Sequence, residues 1–428
     1  MQTQDRDVVI TGRGVLSNLG DTPTELFEAL CRGDSGLSTD HGFEGSADLP
    51  AGRIDFEPRT YLPEGNLRPL DRTGQLVVAA AQRALVDGGW AGSPKDDSEG
   101  DEAELGLVLG TMYGSVHTIA AFDERALVAG PKYVKPFDFA NSVINAAAGQ
   151  AAIWHQLRGV NSTITGGTTA GLQALAYAVD AIRQGRAEAL LAGGADELCF
   201  ESFTAFGQAG LLAGSRNGAG PKPIPFDPER NGFALGEGAA LLLLESAASA
   251  ERRGARILGR IRGHAALFDV DQGDDPKAAG DLLDRVVRLA LEDAGLDPGD
   301  VAAVSASANG SPTLDLTEAR GLSLSVGESP ALGVPITAIK GQLGECLGAS
   351  GGLQTLVLLE SLRRGRLPGI AGCDPGAADI DLALATDTQR LEAANGPGLV
   401  TAVGLDGNLC ALVLEGVGDD GDRDEWRP

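Results

Sequence analysis

The sequence predicts an α/β fold in which strands and helices alternate along the whole chain. Seven short apolar runs have the composition of strands, and several are apolar at nearly every position, as expected of strands covered on both faces. Longer stretches rich in Ala and Leu separate them and have the pattern of helices. Aromatic residues make up only 4% of the chain and Gly contributes 61 residues, so the core must consist of closely packed aliphatic layers.

The predicted elements follow one another without a linker rich in Pro or Ser. The predicted strands are residues 7–12, 104–110, 188–196, 239–246, 301–307, 399–405 and 410–417. The predicted helices are residues 22–33, 75–89, 169–185, 280–295 and 351–365. Thr22 and Thr24 are candidate N-caps of the first helix. A seam near residues 247–256 predicts two halves, and the domain limits are 1–250, 251–416 and an acidic, disordered tail at 417–428.

The charge and the cysteines exclude several classes of function. A formal charge of −26 repels phosphate backbones and anionic lipid, so nucleic-acid and membrane-surface roles are excluded. The acidic run at residues 95–104 and the acidic tail are predicted to be solvated surface. No apolar run reaches the ~18 residues of a membrane span, and the polar N-terminus runs directly into a strand without a signal peptide. The five Cys are odd in number and widely spaced, which predicts reduced thiols in a cytoplasmic protein and no metal site.

Three Gly-rich clusters follow strand-like runs. They are Gly166 with Gly167, Gly344 with Gly348 and Gly351, and Gly404 with Gly407. Gly lets a turn adopt positive φ and lets a substrate approach the backbone. None of the clusters has the spacing of a phosphate loop or a dinucleotide fingerprint, so we predict no cofactor. Taken alone, the clusters fit the tight strand-to-helix turns of an α/β fold equally well.

Four segments in order resemble the β-ketoacyl synthases, and the resemblance runs from residue 7 to about residue 416. The segments are RDVVITGRGVLSNLG, GPKYVKPFDFANSVINAAAGQAAIWHQLRGVNSTIT, PFDPERNGFALGEGAALLLLES and IKGQLGECLGASGGLQTLVLLESLRRGRLPG. The resemblance implies a thiolase-like fold of five α-β-α-β-α layers, built from two similar halves, with two chains paired across a large interface. It also implies decarboxylative condensation, in which a Cys takes an acyl group from an acyl carrier protein and two His assist.

The three positions of the family's catalytic Cys, His and His hold other residues here. The nucleophile turn STACASGL aligns with TGGTTAGL, which puts Thr168 at the Cys position. The motif AHGTGTP aligns with ASANGSP, which puts Ser307 at the first His position. The motif K-x-x-x-G-H aligns with KGQLGE, so Lys340 is retained and Glu345 stands at the second His position. The four His of the chain, at positions 41, 117, 155 and 264, all lie elsewhere.

These replacements predict a loss of condensing activity. A Thr hydroxyl has a far higher pKa than a thiol and needs a strong adjacent base to act as a nucleophile. The simpler interpretation is that Thr168 fills the space of the Cys and forms a hydrogen bond within its turn. Ser307 can donate one hydrogen bond but cannot act as an imidazole. A carboxylate at position 345 opposes a developing oxyanion unless it is protonated or paired with Lys340.

This pattern resembles the chain length factors, the β subunits of type II polyketide synthases. The segment ASANGSPTLDLTEA is similar to their version, in which the Pro, Asp315 and Glu318 remain and the His is lost. Many chain length factors carry Gln at the nucleophile position, and Thr168 departs from that pattern, which indicates a branch that serves polyene or other reduced-chain synthases. The resemblance implies a heterodimer with an active ketosynthase α subunit. Because carrier proteins are usually acidic, the charge of −26 predicts that this partner supplies most of the docking for the acyl carrier protein.

The same resemblance implies that this chain shapes an acyl tunnel near the subunit interface. The candidate tunnel residues follow the strand at 104–110 and are Met112, Tyr113, Val116 and Phe122. The candidate pocket turns are formed by Gly166, Gly167, Gly404, Leu405 and Gly407. Bulky side chains at the tunnel end would stop elongation early, since overpacking a filled cavity costs ~1–3 kcal/mol. The alternative is a purely structural role, in which all four tunnel candidates are ordinary core residues.

Two other functions stay open at the level of the sequence. Thr168 could be an acyl acceptor with Glu345 as its general base, which gives an acyltransferase or hydrolase of altered chemistry. The chain could also be an inactive homodimer that only binds acyl chains or carrier protein. A local basic patch would favour direct docking of an acidic carrier protein. The candidates for such a patch are Arg252, Arg253, Arg256, Arg363 and Arg364.

Overall fold

A computed structural model describes most of the chain. The described ranges are 7–43, 48–90, 104–215, 220–271, 275–327, 333–374, 380, 382–391 and 396–418. The acidic run at 95–104 lies outside them except for Glu104, and so does the tail from residue 419 onward.

Fourteen strands lie within the described ranges, and each predicted strand is among them. They are β1 (Val8–Ser17), β2 (Ala51–Gly52), β3 (Leu105–Gly110), β4 (Asn161–Ile164), β5 (Ala189–Asp196), β6 (Leu235–Gly236), β7 (Gly238–Ser246), β8 (Gly259–Phe268), β9 (Ala303–Ser305), β10 (Ile336–Thr337), β11 (Arg366–Leu367), β12 (Gln389–Arg390), β13 (Pro397–Val403) and β14 (Asn408–Gly416).

Thirteen α-helices lie within the same ranges and include all five predicted ones. They are α1 (Pro23–Arg32), α2 (Pro58–Tyr61), α3 (Arg72–Asp87), α4 (Val116–Val128), α5 (Pro136–Ala140), α6 (Ala146–His155), α7 (Ala170–Arg183), α8 (Phe200–Gln208), α9 (Ala247–Arg252), α10 (Pro276–Ala294), α11 (Pro312–Ser325), α12 (Lys340–Leu343) and α13 (Ser350–Arg364). Thr22 caps α1, because its hydroxyl accepts a hydrogen bond of 3.1 Å from the Glu25 N–H.

Ten strands form one mixed sheet in the order β10-β9-β13-β14-β8-β1-β7-β5-β3-β4. The two centre strands, β8 and β1, pair over only three residues, from Val8 opposite Ile261 to Ile10 opposite Gly259. The five strands on the β1 side all precede residue 250, and the five on the β8 side all follow it. Each side combines antiparallel pairs near the junction with parallel pairs at its outer end, where β4 and β10 are the edge strands.

Helices cover this sheet in layers. Helices α7 and α13 lie between the two halves, and α13 is buried from Ser350 to Arg363, which explains why its apolar residues show no single stripe. Helix α3 packs outside β1 and β7, and α10 packs outside β8 and β14. The N-terminal ends of α7 and α13 therefore meet in the interior.

Strand β8 and helices α11 and α4 were not predicted from the sequence, because each departs from the apolar pattern on which the prediction depends. Strand β8 alternates buried and half-exposed residues and includes two Arg and a His. Helix α11 buries Asp315, Thr317 and Glu318, and these polar residues remove the apolar period on which the prediction depends. Helix α4 buries none of its side chains fully in this single chain. Among the described helices, none combines the length and the hydropathy needed to cross a bilayer.

Candidate functional site

The three replaced positions are brought together by short turns at the ends of internal elements. Thr168 lies in a 3-10 turn, Gly167–Thr169, that leads into α7. Ser307 follows β9, and Glu345 follows α12. A second 3-10 turn, Leu347–Ala349, packs against the first, and the Gly348 carbonyl lies directly against Gly171 at the start of α7. The fold therefore gathers these positions at one buried site, as the alignment predicts.

Glu345 and Lys340 form an ion pair at the centre of the site. The Lys340 Nζ atom lies 2.8 Å from Glu345 Oε2, and the side chains are only 3% and 1% exposed. Asn309 Nδ2 donates to the same oxygen over 2.9 Å, and Ser350 Oγ donates to Oε1 over 2.6 Å. Both carboxylate oxygens are therefore occupied, and the charge is neutralised within the chain.

Ser307 connects the ion pair to the strand ends. Its Oγ accepts a hydrogen bond of 3.3 Å from Lys340 Nζ and one of 3.2 Å from the Val403 N–H. Its own N–H donates to Glu318 Oε1 over 2.7 Å. The hydroxyl thus accepts from two internal donors, and its single O–H is the one hydrogen-bond donor that this side chain offers in place of an imidazole.

Glu318 and Asp315 anchor the segment that carries Ser307 and Asn309. Burial raises the pKa of Glu318 to about 7, although the Thr401 hydroxyl donates to its Oε1 over 2.6 Å. Its Oε2 atom is buried and has no hydrogen-bond partner among the described residues. Burial also raises the pKa of Asp315 to about 6, while backbone N–H groups including that of Asn309 donate to its carboxylate. The carboxylates of Glu318 and Asp315 therefore accept hydrogen bonds from the backbone of the chain and position that segment.

The Thr168 side chain is buried at 3% exposure but is not built into a nucleophile–base pair. The hydrogen bond within its turn is made by the neighbour instead, because Thr169 Oγ1 donates to the Gly166 carbonyl over 2.7 Å. The interpretation that Thr168 itself bonds within the turn was therefore wrong. None of the described Asp, Glu, His or Lys side chains bonds the Thr168 hydroxyl, and Glu345 is fully engaged elsewhere.

Cys346 is adjacent to Glu345 and does not replace the missing nucleophile. The thiol is buried, and its Sγ lies 3.6 Å from the Glu237 carbonyl. Burial raises the pKa of Cys346 well above the usual range of a thiol. It therefore stays protonated, whereas a reactive Cys is a thiolate.

The predicted pocket turns lie against each other, and they contain a carboxylate that the motifs did not indicate. Gly404 begins the turn after β13, and its N–H donates to the Asn408 carbonyl over 2.8 Å. A β-carbon at Gly167 would come within 2.6 Å of Asp406 Oδ2, so this carboxylate rests on the Thr168 turn. The available signal was an Asp between Leu405 and Gly407, in a cluster otherwise interpreted as small and apolar.

Met112 is the predicted tunnel residue that contacts the apolar wall of the site. It packs on a cluster that includes Leu347 and Phe233, and half-buried Leu405 packs on the same cluster. The Met112 N–H donates to Asp196 Oδ2 over 2.7 Å, and the Gly348 N–H donates to the same atom over 2.7 Å. Burial raises the pKa of this shared Asp to about 6.

The other three tunnel candidates lie farther along the same segment. Tyr113 is 39% exposed, and its ring centroid lies 6.3 Å from that of Phe206. Val116 is the first residue of α4. Phe122 lies in the middle of α4 with its ring 6.0 Å from that of Phe139 on α5. Phe122 therefore packs against α5, whereas Tyr113 lies against Phe206, a member of the same apolar cluster on which Met112 packs.

Helices α4, α5 and α6 expose several large apolar side chains, and α6 packs beside the edge strand β4. The most exposed of these side chains are those of Leu127 (86%), Val128 (82%), Ile153 (81%), Phe139 (64%) and Phe137 (55%). Exposed apolar side chains of this size and number are typical of an interaction site. Strand β4 ends the sheet with one hydrogen-bonding edge unpaired among the described strands.

The five Arg proposed as a basic patch do not form one. Arg252 bonds Glu188 at 2.5 Å, and Arg253 bonds Glu245. Arg256 lies 3.8 Å from Asp87, and Arg363 and Arg364 both bond buried Glu360. Each guanidinium faces a carboxylate, so this region offers little net positive charge to an acidic partner.

The His residues and the acids form no metal centre within the described part of the chain. The four His lie in packing or surface contacts. His41 bonds the Leu49 carbonyl, His117 bonds Glu201, His155 bonds the Val78 carbonyl, and His264 bonds Asp180.

Comparisons with known proteins agree with this architecture. The family model "Beta-ketoacyl synthase, N-terminal domain" matches residues 5–250, and "Beta-ketoacyl synthase, C-terminal domain" matches residues 258–374. A 3-oxoacyl-[acyl-carrier-protein] synthase 2 of Vibrio harveyi is 30% identical over 389 residues, which cover 90% of this chain and 92% of that relative.

Two solved structures extend the comparison to polyketide systems. One is described as the ishigamide ketosynthase/chain length factor, with 30% identity, a TM-score of 0.82 and coverage of 97% of this chain and 100% of that one. The other is a type II PKS acyl-carrier protein in complex with its ketosynthase bound to the hexaketide, with 26% identity, a TM-score of 0.81 and the same coverage. The predicted thiolase-like α/β fold is confirmed.

Proposed function

The chain belongs to the β-ketoacyl synthase family, and within that family we propose that it is a non-condensing β subunit, or chain length factor. It pairs with an active ketosynthase α subunit and shapes the acyl tunnel of a type II polyketide or related polyene synthase. The observation that carries this proposal is the Lys340–Glu345 ion pair, which neutralises and fills the centre of the site. The scaffold around this centre is intact.

The chemistry of the replaced positions supports a non-condensing role. Condensation requires a thiolate at the start of α7 and donors aimed at a developing negative charge. Here Thr168 has no base, Ser307 accepts from Lys340, and Glu345 contributes a further carboxylate. The same arrangement weakens the acyltransferase or hydrolase alternative, because its proposed base is held by Lys340, Asn309 and Ser350.

The apolar surface of α4, α5 and α6 supports a role in a dimer. The side chains of Leu127 and Ile153 are more than four-fifths exposed, a costly arrangement in water unless a partner covers them. The tunnel candidate Met112 packs on the apolar wall of the site, and Val116, four residues later, is the first residue of α4. A partner seated on this surface would share one acyl cavity with this chain.

The described similarity to a ketosynthase/chain length factor favours an unlike partner. The acyl carrier protein would then dock mainly on the α subunit, since the formal charge of this chain is −26 and its Arg cluster is neutralised by carboxylates. An acyl-binding homodimer is the competing outcome, because the same apolar surface could pair with itself.

Reconstitution tests the proposed role directly. A ketosynthase with intact Cys and His residues is assayed with malonyl-loaded carrier protein, alone and with this chain. The proposal predicts that only the pair makes a product of defined length, and that T168A in this chain leaves the product and its rate unchanged within about twofold. Product formation by this chain alone, lost in T168A, would contradict it in favour of the altered enzyme.

A further inference from the structure

Asp406 places a negative charge on the turn that carries the nucleophile position. The residue lies in the turn that joins β13 to β14, and it is half-buried. Its Oδ2 and Oδ1 atoms would lie 2.6 and 3.0 Å from a β-carbon at Gly167, which has a φ of +57°. The carboxylate is therefore in direct contact with the residue before Thr168.

A chain of side-chain hydrogen bonds fastens the two turns to each other. Asn408 Nδ2 donates to Asp406 Oδ2 over 2.8 Å. Gln173 Nε2, one turn into α7, lies 3.3 Å from Asn408 Oδ1 and 3.0 Å from Thr169 Oγ1. Because Thr169 bonds Gly166, the network runs without a break from the β13–β14 turn to the start of α7. We call this the Asp406 latch.

A second contact holds the outer side of the same turn. The Asp269 N–H donates to the Gly407 carbonyl over 2.8 Å, and Phe268 pairs with Asn408 at the start of β14. The turn is thus held from α7 on one side and from β8 on the other.

The charge of Asp406 opposes the chemistry that the start of α7 would otherwise favour. The N-terminal end of a helix stabilises a nearby anion. In this chain a carboxylate of the protein already lies there, where it repels a thiolate or an oxyanion at position 168. Asp406 is not one of the three aligned replacements, and its charge acts through the neighbouring turn.

We propose that Asp406 is a further positioning residue that closes the Thr168 pocket, by latching the β13–β14 turn and by keeping anionic groups away from position 168. This inference deepens the proposed non-condensing function and rests on it. It predicts that a Cys introduced at position 168 reacts more slowly with Asp406 present than with Asp406 replaced, although position 406 is not one of the three family positions.

A reporter thiol tests the proposal in the full chain. T168C is compared with T168C/D406N, which removes the charge and keeps the shape, and with T168C/D406G, which removes the latch. The control T168C/D271N removes an equal charge from an exposed Asp, two residues beyond the Asp269 that bonds the same turn. Alkylation of the introduced thiol by neutral iodoacetamide and by anionic iodoacetate is followed by peptide mass spectrometry at pH 7.

The proposal predicts that D406N raises the iodoacetamide rate about tenfold, the factor that corresponds to one pKa unit. It also predicts a larger relative rise for iodoacetate, because the removed charge repels the reagent as well as the thiolate. D406G should be faster than D406N with both reagents, and D271N should stay within about twofold of T168C. Rates for D406N and D406G within twofold of T168C would overturn the proposal.

A second measurement covers the case in which the T168C variants fold poorly. In the otherwise unchanged chain, D406G should speed amide hydrogen exchange of residues 167–171 by about fivefold or more, because the turn that packs on them opens more often. Unchanged exchange would overturn the latch. Pairing of D406G with the ketosynthase partner is measured in parallel: if no variant pairs, the proposed function fails while the alkylation result still decides the role of Asp406.

Discussion

Replacement of Glu345 with Ala should destabilise the folded chain by about 3–5 kcal/mol, the range for removing one partner of a buried ion pair. The substitution leaves the Lys340 ammonium at 3% exposure, with Ser307 Oγ as a remaining partner at 3.3 Å. It also removes the acceptor for Asn309 and Ser350. The magnitude therefore comes mainly from an unpaired buried charge rather than from the lost contact itself.

Equilibrium urea unfolding followed by circular dichroism measures this cost. The matched control is Glu188→Ala, which breaks the Arg252 pair at a surface where both side chains are more than half exposed and should cost at most about 1 kcal/mol. The double variant Lys340→Met/Glu345→Leu removes both charges and should recover most of the loss. A cost below about 1 kcal/mol for Glu345→Ala, equal to that of the control, would refute the buried ion pair as the centre of the site.

Three further predictions concern pH, pairing and product length. The folded chain keeps the Glu318 proton up to about pH 7 while the unfolded chain loses it near the ordinary Glu pKa of 4.5, so stability falls as pH rises through this window. Glu318→Gln should remove up to about 3 kcal/mol of that fall. The measurement compares the free energy of urea unfolding of the variant and of the unchanged chain from about pH 4.5 to 7.5, and identical pH profiles would contradict the prediction. Ile153→Asp should abolish pairing with the ketosynthase in size-exclusion chromatography, while the similarly exposed Val270→Asp should not. Met112→Ala should lengthen the product of the reconstituted pair by mass spectrometry, because it removes side-chain volume from the apolar wall, and an unchanged product would exclude Met112 from the tunnel.

The alternation of strands and helices was predictable because the seven predicted strands are apolar at most positions and the internal helices are rich in Ala and Leu. The segments of α4 and α11 were harder to recognise, since α4 exposes its apolar side chains and α11 buries Asp315 and Glu318. Both depart from the rule that apolar residues lie inside and charged ones outside. In α4 the departure marks the surface that we propose a partner covers.

The candidate site was predictable only where a motif fixed the position. Motif alignment located Thr168 and Glu345, but it carries no information on hydrogen bonds, so the role of Thr169 in the turn was assigned to its neighbour. Asp406 was missed because its partner Gly167 is about 240 residues away in sequence, and only the fold brings the two together. The basic patch was wrong because the fold brings carboxylates distant in sequence to two of its Arg, Glu188 to Arg252 and Asp87 to Arg256. Arg363 and Arg364 are instead paired with Glu360 on their own helix.

Native mass spectrometry of the chain, alone and mixed with a ketosynthase that has an intact Cys and two His, tests the central claim most directly. The account predicts a one-to-one heterodimer that forms in preference to the self-dimer, with no acyl mass on this chain after incubation with acyl-loaded carrier protein. A homodimer that ignores the ketosynthase and gains an acyl group at Thr168 would contradict it.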